Sequence, residues 1–367
     1  MLKVRYLFRF SLALLLLVIL GNVVEATTLK VHYDVGWGNR ITIRGNRSPF
    51  SWNSGVNATW TTGNIWVYSW STSIGDVEVK PLINDNLWST GANYRIRAGQ
   101  TVDIYPFFGP ARGSLERVYN FYSPQLGNTR TLIIYLPPSY SENRLKRYPV
   151  LYMHDGQNIF DAATSFGGVE WGVDETANRL IGEGSMEEII VVGIYNTGPN
   201  RLYEYTTCCD PEYGGGGAES YSRFIIDTVK PFIDYNYRTL TSRQNTAIMG
   251  SSLGGLVSFH IARTRSDIFS KAASLSGSFW WNNEDLVNQV ITETTRIPVK
   301  LYIDAGTNND GLEETTDLRN ALLDDGYVQG SDLYYYVAQD AYHSEASWAA
   351  RLYIPLKYLF PAGSTIY

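Results

Sequence analysis

The sequence predicts an α/β fold, a mostly parallel sheet with helices on both faces, preceded by a small all-β sandwich. Three observations carry this. From about Leu115 onward, short apolar runs alternate with amphipathic stretches of helical period, the pattern of a sheet covered on both sides. Before that point, short alternating runs are separated by Gly, Asn, Pro and Ser clusters without helical period, as in a sandwich. Third, Ile248-Met249-Gly250-Ser251-Ser252-Leu253-Gly254-Gly255 passes from a buried strand through a glycine-framed serine into a helix.

A chain of 367 residues suggests two domains, and 44% hydrophobic with 18% charged residues is the composition of a well-cored globular protein. The formal charge of −6 argues against nucleic acid as partner, since no basic excess is present to neutralise phosphates. The 27 Tyr and 10 Trp suit either β-rich packing, the weightier reading, or sugar and aromatic ligands. Residues 1–26 read as a signal peptide: Lys3, Arg5 and Arg9, an apolar run from Phe10 to Leu20, then Val24-Glu25-Ala26 as a cleavage site. That run is too short to span a bilayer. No cysteine follows it, so a lipid anchor is not expected, and a secreted or periplasmic mature chain begins near Thr27. Cys208 and Cys209 are adjacent and cannot staple distant segments; a vicinal bridge, an interchain bridge and free thiols stay open. With four scattered histidines, no metal spacing occurs, and no cofactor is implied.

In the sandwich, assigned to residues 27–108, Leu29, Val31, Tyr33 and Val35 alternate with Lys30, His32 and Asp34 as a half-buried strand. Ile41 and Ile43, then 64–71 and 76–80, continue the pattern. Trp66, Tyr68 and Trp70 share one face of a strand, either as an exposed platform for stacking sugars or as doubly covered core. The stretches Gly36-Trp37-Gly38-Asn39 and Glu78-Val79-Lys80-Pro81-Leu82-Ile83-Asn84-Asp85, with Trp88 to Tyr94, resemble small β-sandwich modules related to starch-binding domains. The resemblance implies a fold; such modules do not always bind glycans.

Phe108-Gly109-Pro110-Ala111-Arg112-Gly113 reads as a linker, and 109–367 as the α/β domain. Strands are predicted at 115–123, 129–136, 148–153, 188–195, 246–249, 271–276, 299–305 and 333–337. Helices are predicted at 173–181, 221–235, 253–262, 318–324 and 347–359.

Gly250-x-Ser252-x-Gly254 sits where a nucleophile elbow requires it, with glycines where side chains would clash. A serine hydroxyl needs a base. His32 lies in the sandwich, His260 follows Ser252 by two helical turns as a packing residue, and His154 ends a strand; His343, on a loop after the last strand, is the expected base. The acid should lie between them, and Asp310 in the loop after strand 299–305 is best placed, with Asp304, Glu313 and Glu314 open. The backbone N–H of Leu253 and the amide of Gln157 supply the expected oxyanion hole. Trp171, Tyr203 and Trp280, together with Tyr205, Phe279 and Trp281, could line an acyl or aryl pocket or simply pack the core.

Across 113–362 the chain resembles the putative-esterase family of α/β-hydrolases, which takes in esterase D-like, feruloyl and siderophore esterases and mycolyltransferases. The motifs are Tyr135-Leu136-Pro137-Pro138-Ser139-Tyr140, His154-Asp155-Gly156-Gln157-Asn158, Trp171-Gly172-Val173-Asp174-Glu175, the Ser252 elbow and His343-Ser344-Glu345-Ala346-Ser347-Trp348. The resemblance implies Ser252 as nucleophile, His343 as base, and Gln157 with Leu253 as oxyanion hole. Relatives often carry the acid three residues after the glycine matching Gly306, where this chain has Asn309; the acid would be Asp310, one place later. The expectation is a secreted serine esterase acting on a small-molecule or carbohydrate ester through an acyl-enzyme. An acyltransferase with the same triad, and a glycan-binding protein with an inactive hydrolase domain, are the alternatives. Oligomeric state is not legible.

Overall fold

The computed structural model describes residues 26–362 apart from Cys208 and Thr294. The signal-peptide expectation therefore lies, save for Ala26, outside the described residues, as does half of the adjacent cysteine pair; Cys209 is exposed.

The N-terminal region is β-rich and holds two sheets. One has the order β4 (Thr59–Thr61), β5 (Ile65–Ser71), β1 (Ala26–His32), β9 (Thr101–Ile104). The other runs β3 (Val56–Asn57), β2 (Ile41–Gly45), β6 (Val77–Ile83), β7 (Leu87–Trp88), with β8 (Tyr94–Ile96) also on β6. Side chains alternate along a strand, so Leu29 and Val31 of β1 and Trp66 and Trp70 of β5 point one way. They meet Ile41, Ile43, Val77 and Val79 of the second sheet in one apolar cluster. The exposed-platform reading of Trp66 and Trp70 is thereby corrected: they are 8% and 5% exposed, taken inward by the same alternation that buries their neighbours. The exposed rings of this region include Trp52 and Trp88, 6.3 Å apart.

The remainder is built on an eight-stranded sheet of order β10-β11-β13-β12-β14-β15-β16-β17. Its strands are β10 (Ser114–Ser123), β11 (Asn128–Leu136), β12 (Val150–His154), β13 (Ile190–Ile194), β14 (Thr246–Ser251), β15 (Lys271–Leu275), β16 (Lys300–Asn308) and β17 (Leu333–Tyr342). β10 and β11 are antiparallel, and from β13 to β17 every pairing is parallel. Val150 and Tyr152 of β12 enter one core cluster while Leu151 and Met153 enter the other, and Ile190 and Val192 alternate with Val191 in the same way. A sheet apolar on both faces needs helices on both. Helices α4 (Ala218–Phe224), α5 (Lys230–Asn236), α6 (Leu253–Thr264), α7 (Trp281–Glu293) and α8 (Leu312–Asp324) contribute to the first cluster. The second is covered by α2 (Val173–Gly182), α9 (Glu345–Arg351) and α10 (Tyr353–Leu359). Helices α1 (Ser139–Glu142) and α3 (Arg201–Tyr205) are short, the first before β12 and the second after β13.

Two predicted helices are divided. The stretch 221–235 becomes α4, a π-helical turn at Ile225–Val229, and α5 with Pro231 in its first turn. Proline lacks an N–H and its ring collides with the carbonyl four residues back, so the α ladder cannot run through it. Pro355 in the first turn of α10 likewise separates α9 from α10.

The β-rich region docks through Glu142 and Asn143. Glu142 accepts from the Tyr33 hydroxyl (2.7 Å) and the Phe108 and Gly109 N–H groups (2.6 and 3.0 Å). Asn143 donates to the carbonyls of His32 (2.9 Å) and Pro106 (3.0 Å). Both residues precede β12, so this contact lies at the amino edge of the parallel strands, opposite the edge that carries Ser252.

Candidate active site

β14 ends at Ser251 and α6 begins at Leu253, leaving Ser252 as the single hinge residue with φ 58° and ψ −127°. A positive φ is strained for serine, and it persists because the chain packs tightly on either side. A Cβ on Gly250 would lie 2.7 Å from the backbone of Gly254 and 2.9 Å from the His154 ring. Only a bare backbone lets the helix fold back so closely on its strand.

The neighbouring strand supplies the facing loop. β12 pairs with β14 in register, Met153 opposite Met249, so the loop that opens with Asp155 lies beside the elbow. Asp155 is left-handed (φ 55°), and Gly156 lies against β13, where a Cβ would sit 2.5 Å from the Gly193 carbonyl carbon. Gly156→Ala is therefore expected to lower stability by about 1–3 kcal/mol, read as a lower thermal midpoint; an unchanged midpoint would contradict this contact. Asp155 accepts two bonds from Arg201 (both 2.8 Å) and one from Asn196 (2.7 Å). Burial opposes its charge, but the Arg201 guanidinium outweighs burial and holds the carboxyl below its usual range. Gln157 follows, its side-chain carbonyl accepting the Asn196 N–H (3.2 Å). Leu253 opens α6, where first-turn N–H groups have no partner within the helix.

The four histidines separate by environment. His32 bonds Asp103 (2.6 Å) in the β-rich region. His154 is buried under the elbow, bonded to the Tyr221 hydroxyl (2.9 Å), and burial pushes its imidazole down to about 3, so it is neutral. Burial also lowers His260, in α6. His343, in the turn between β17 and α9, keeps 38% of its side chain exposed and places Nδ1 2.7 Å from Asp310 Oδ1. The edge of its ring meets Trp348, centroids 5.0 Å apart.

Asp310 lies in the turn after β16, where Asn309 (φ 51°) and Gly311 (φ 70°) are left-handed. The turn brings its carboxylate back to accept the Gly306 N–H and the Ser276 hydroxyl, both at 2.6 Å. Burial would raise the carboxyl, yet His343, Ser276 and Gly306 together hold it below its ordinary value. An ionised carboxylate only accepts, so Nδ1 of His343 carries the proton of this bond. Asp304, the alternative acid, belongs to β16 and is fully buried; it bonds Arg351 (2.9 Å twice), Tyr302 and the Ser276 N–H. Glu313 and Glu314 lie in the first turn of α8.

Ser252 Oγ lies 3.3 Å from Ser278 Oγ, and among the described residues no hydrogen bond joins it to His343. Of the expected ligand-facing rings, Tyr203 (50%) and Trp280 (45%) are exposed at the carboxyl edge of the sheet. Trp171 is 4% exposed and packs on Trp348, behind His343, rather than on a ligand surface; Tyr205, Phe279 and Trp281 are core. Ser278, Ser276, Arg351 and the Asp155–Arg201 pair escape the sequence analysis, because a lone serine or arginine without a motif gives no signal. Among the described residues, no group of three or more His, Cys, Asp or Glu could hold a metal ion. No described helix is long and apolar enough to cross a membrane.

The chain and its fold have recognisable relatives. A bifunctional endo-1,4-beta-xylanase/feruloyl esterase of Xylanibacter ruminicola is 28% identical over 186 residues, 47% of this chain and 23% of that protein. A siderophore enterobactin esterase of Emericella nidulans is 29% identical over 158 residues, 38% of this chain and 49% of that protein. Among solved structures, an enterobactin esterase of Shigella flexneri, determined in the presence of enterobactin, superposes with a TM-score of 0.56 at 14% identity, over 87% of each chain. That coverage exceeds the eight-stranded sheet and its helices, so the likeness of fold reaches into the β-rich region. The model of the family described as Putative esterase matches residues 123–358. The chain belongs to this esterase family: it is a carboxylic-ester hydrolase with an α/β-hydrolase-type fold and a β-rich N-terminal region.

Proposed function

We propose that the chain is a secreted, two-domain serine esterase, with residues 27–108 as a separate β domain and Ser252, His343 and Asp310 as the triad. The reading is supported above all by the 2.7 Å His343–Asp310 bond at the end of the sheet where Ser252 is held in a strained elbow. In this mechanism Ser252 turns from Ser278 toward His343 and Oγ attacks the ester carbonyl, its proton passing to His343 Nε2. The ionised Asp310 holds Nδ1–H and stabilises the imidazolium. The oxyanion accepts the N–H groups of Gln157 and Leu253, a contribution worth roughly 10²–10³ in rate per donor. Collapse expels the alcohol, which takes the proton from His343, leaving an acyl ester on Ser252. Water, deprotonated by His343, releases the acid and restores the serine.

Tyr203 and Trp280 approach from the β13 and β15 sides of the elbow with rings half exposed, which favours an acyl group that carries an aromatic ring, as the feruloyl group does directly and an N-benzoyl-serine unit does through its amide. The test is kcat/KM on methyl ferulate and enterobactin beside methyl acetate and methyl butyrate, all with unactivated alcohols as leaving groups. A preference of at least tenfold for an aromatic acyl ester is the expected result. Acetate and butyrate esters turned over faster than both aromatic acyl esters would overturn the substrate reading.

A further inference from the structure

Behind Asp310 lies a buried polar cluster that the proposed mechanism leaves unused. Ser276, immediately after β15, has a hydroxyl that contacts Asp310 Oδ2 (2.6 Å), Trp348 Nε1 (2.9 Å) and Arg351 Nη2 (2.7 Å). The residue is 1% exposed and held at φ 45°. A hydroxyl has one proton and two lone pairs. The indole N–H and the guanidinium can only donate, so together they occupy both lone pairs. The single proton of Ser276 then has one destination, the Asp310 carboxylate.

Arg351 is itself fixed. Nε and Nη2 donate to the two oxygens of Asp304 (2.9 Å each), and Nη2 stands 3.6 Å from Asp310 Oδ2. Asp304 is anchored further by the Tyr302 hydroxyl (2.7 Å) and the Ser276 N–H (3.0 Å). Side-chain exposure is 5% for Arg351 and 0% for Asp304 and Asp310, so these charges face one another rather than water.

We propose that Ser276 and Arg351 are positioning residues that orient the Asp310 carboxylate toward His343 and keep it ionised. The inference rests on the reading of Asp310 as the triad acid. The arrangement gives Asp304 a task of its own: it holds Arg351, which sets the Ser276 hydroxyl, which sets Asp310. Neither Ser276 nor Arg351 touches the reacting atoms. The titratable and charged groups facing Asp310 are His343 from the β17–α9 turn and Arg351 from α9, with Asp304 of β16 behind Arg351. With Ser276 removed, Asp310 keeps two of its three donors and its carboxyl takes up a proton at higher pH.

The test measures kcat, KM and the thermal midpoint of Ser276→Ala and Arg351→Lys on the full chain, beside Asp310→Asn. Rates are normalised to active sites titrated with a fluorophosphonate. Loss of one hydrogen bond to a charged group predicts a fall in kcat of about 10- to 100-fold for Ser276→Ala. KM should stay within about twofold. Arg351→Lys, which retains a donor and the charge, should fall between the two. A merely structural role would lower the thermal midpoint and the titrated fraction but leave kcat per site unchanged, and that result overturns the proposal. If Asp310→Asn is itself fully active, the failure lies in the reading of the acid instead.

Discussion

Ser252→Ala should lower kcat by roughly 10³–10⁶-fold with KM little changed. The magnitude follows from what is removed. In the proposed mechanism no acyl-enzyme forms without the hydroxyl, and only substrate binding and the two proposed N–H donors at Gln157 and Leu253 remain. The substitution should leave the fold intact, because the strain at φ 58° belongs to the backbone and alanine meets it as serine does. The neighbouring Ser278 hydroxyl, 3.3 Å away, is the one group that could spoil this simplicity. It lies on the turn after β15 rather than at the elbow, so it should not substitute as nucleophile. Steady-state hydrolysis of a p-nitrophenyl ester checks the point, and a variant retaining a tenth of the wild-type kcat would contradict it.

Asp310→Asn and Asp304→Asn should separate the two carboxylates by kind of effect. Asp310→Asn should lower kcat by roughly 10³–10⁴-fold: an amide can present its NH₂ to His343 and stabilise the wrong tautomer, and it cannot balance the imidazolium. Stability should change little by comparison. Asp304→Asn should act chiefly on stability. It leaves the buried Arg351 guanidinium with only the more distant Asp310 carboxylate, 3.6 Å away, as counter-charge, a loss of up to about 3–5 kcal/mol. Its kcat per titrated site should fall no further than that of Ser276→Ala. Denaturant unfolding and kinetics on both variants check this, and an Asp304→Asn variant with the greater kinetic defect would reverse the assignment.

Acid pH should act on the same group with a definite sign. The folded Asp310 carboxyl lies below its ordinary value, so its contribution to stability is complete above the unfolded carboxyl's pKa of about 3.9. That contribution is lost as pH falls through the lower folded value.

The fold was legible because its signals are local and periodic. β12, β13, β14 and β15 are short apolar runs bounded by turn residues, and the helical repeat after Ser252 needs no tertiary information. Helix α7 has no start signal in the sequence, although Leu286, Val287 and Val290 recur at helical spacing and are buried: its first turn is left-handed at Asn282, Asn283 and Glu284, so no ordinary cap announces it. Ser252 and His343 could be placed by motif and elimination. Asp310 could only be favoured over Asp304, since what distinguishes them is three-dimensional: one turns back from the end of its strand toward His343, the other stays in the strand against Arg351. The aromatic residues show the same limit. Composition does not say which rings face inward, and alternation along β5 sent Trp66 and Trp70 to the core. Trp171 went to the packing behind His343, while Tyr203 and Trp280 stayed exposed.

The position of the β-rich region bears on how it could contribute. It docks through Glu142 and Asn143 at the amino edge of the parallel strands, whereas Ser252, Gln157 and His343 gather at the carboxyl edge. Within one chain it does not reach over the elbow at that docking point.

The most direct measurement is covalent labelling of the full chain with a fluorophosphonate, followed by peptide mass mapping. The account predicts one adduct, on the peptide and residue Ser252, formed by the wild type and abolished by Ser252→Ala and by His343→Ala. An adduct on Ser278, or labelling unchanged when His343 is replaced, would contradict a serine activated by that histidine.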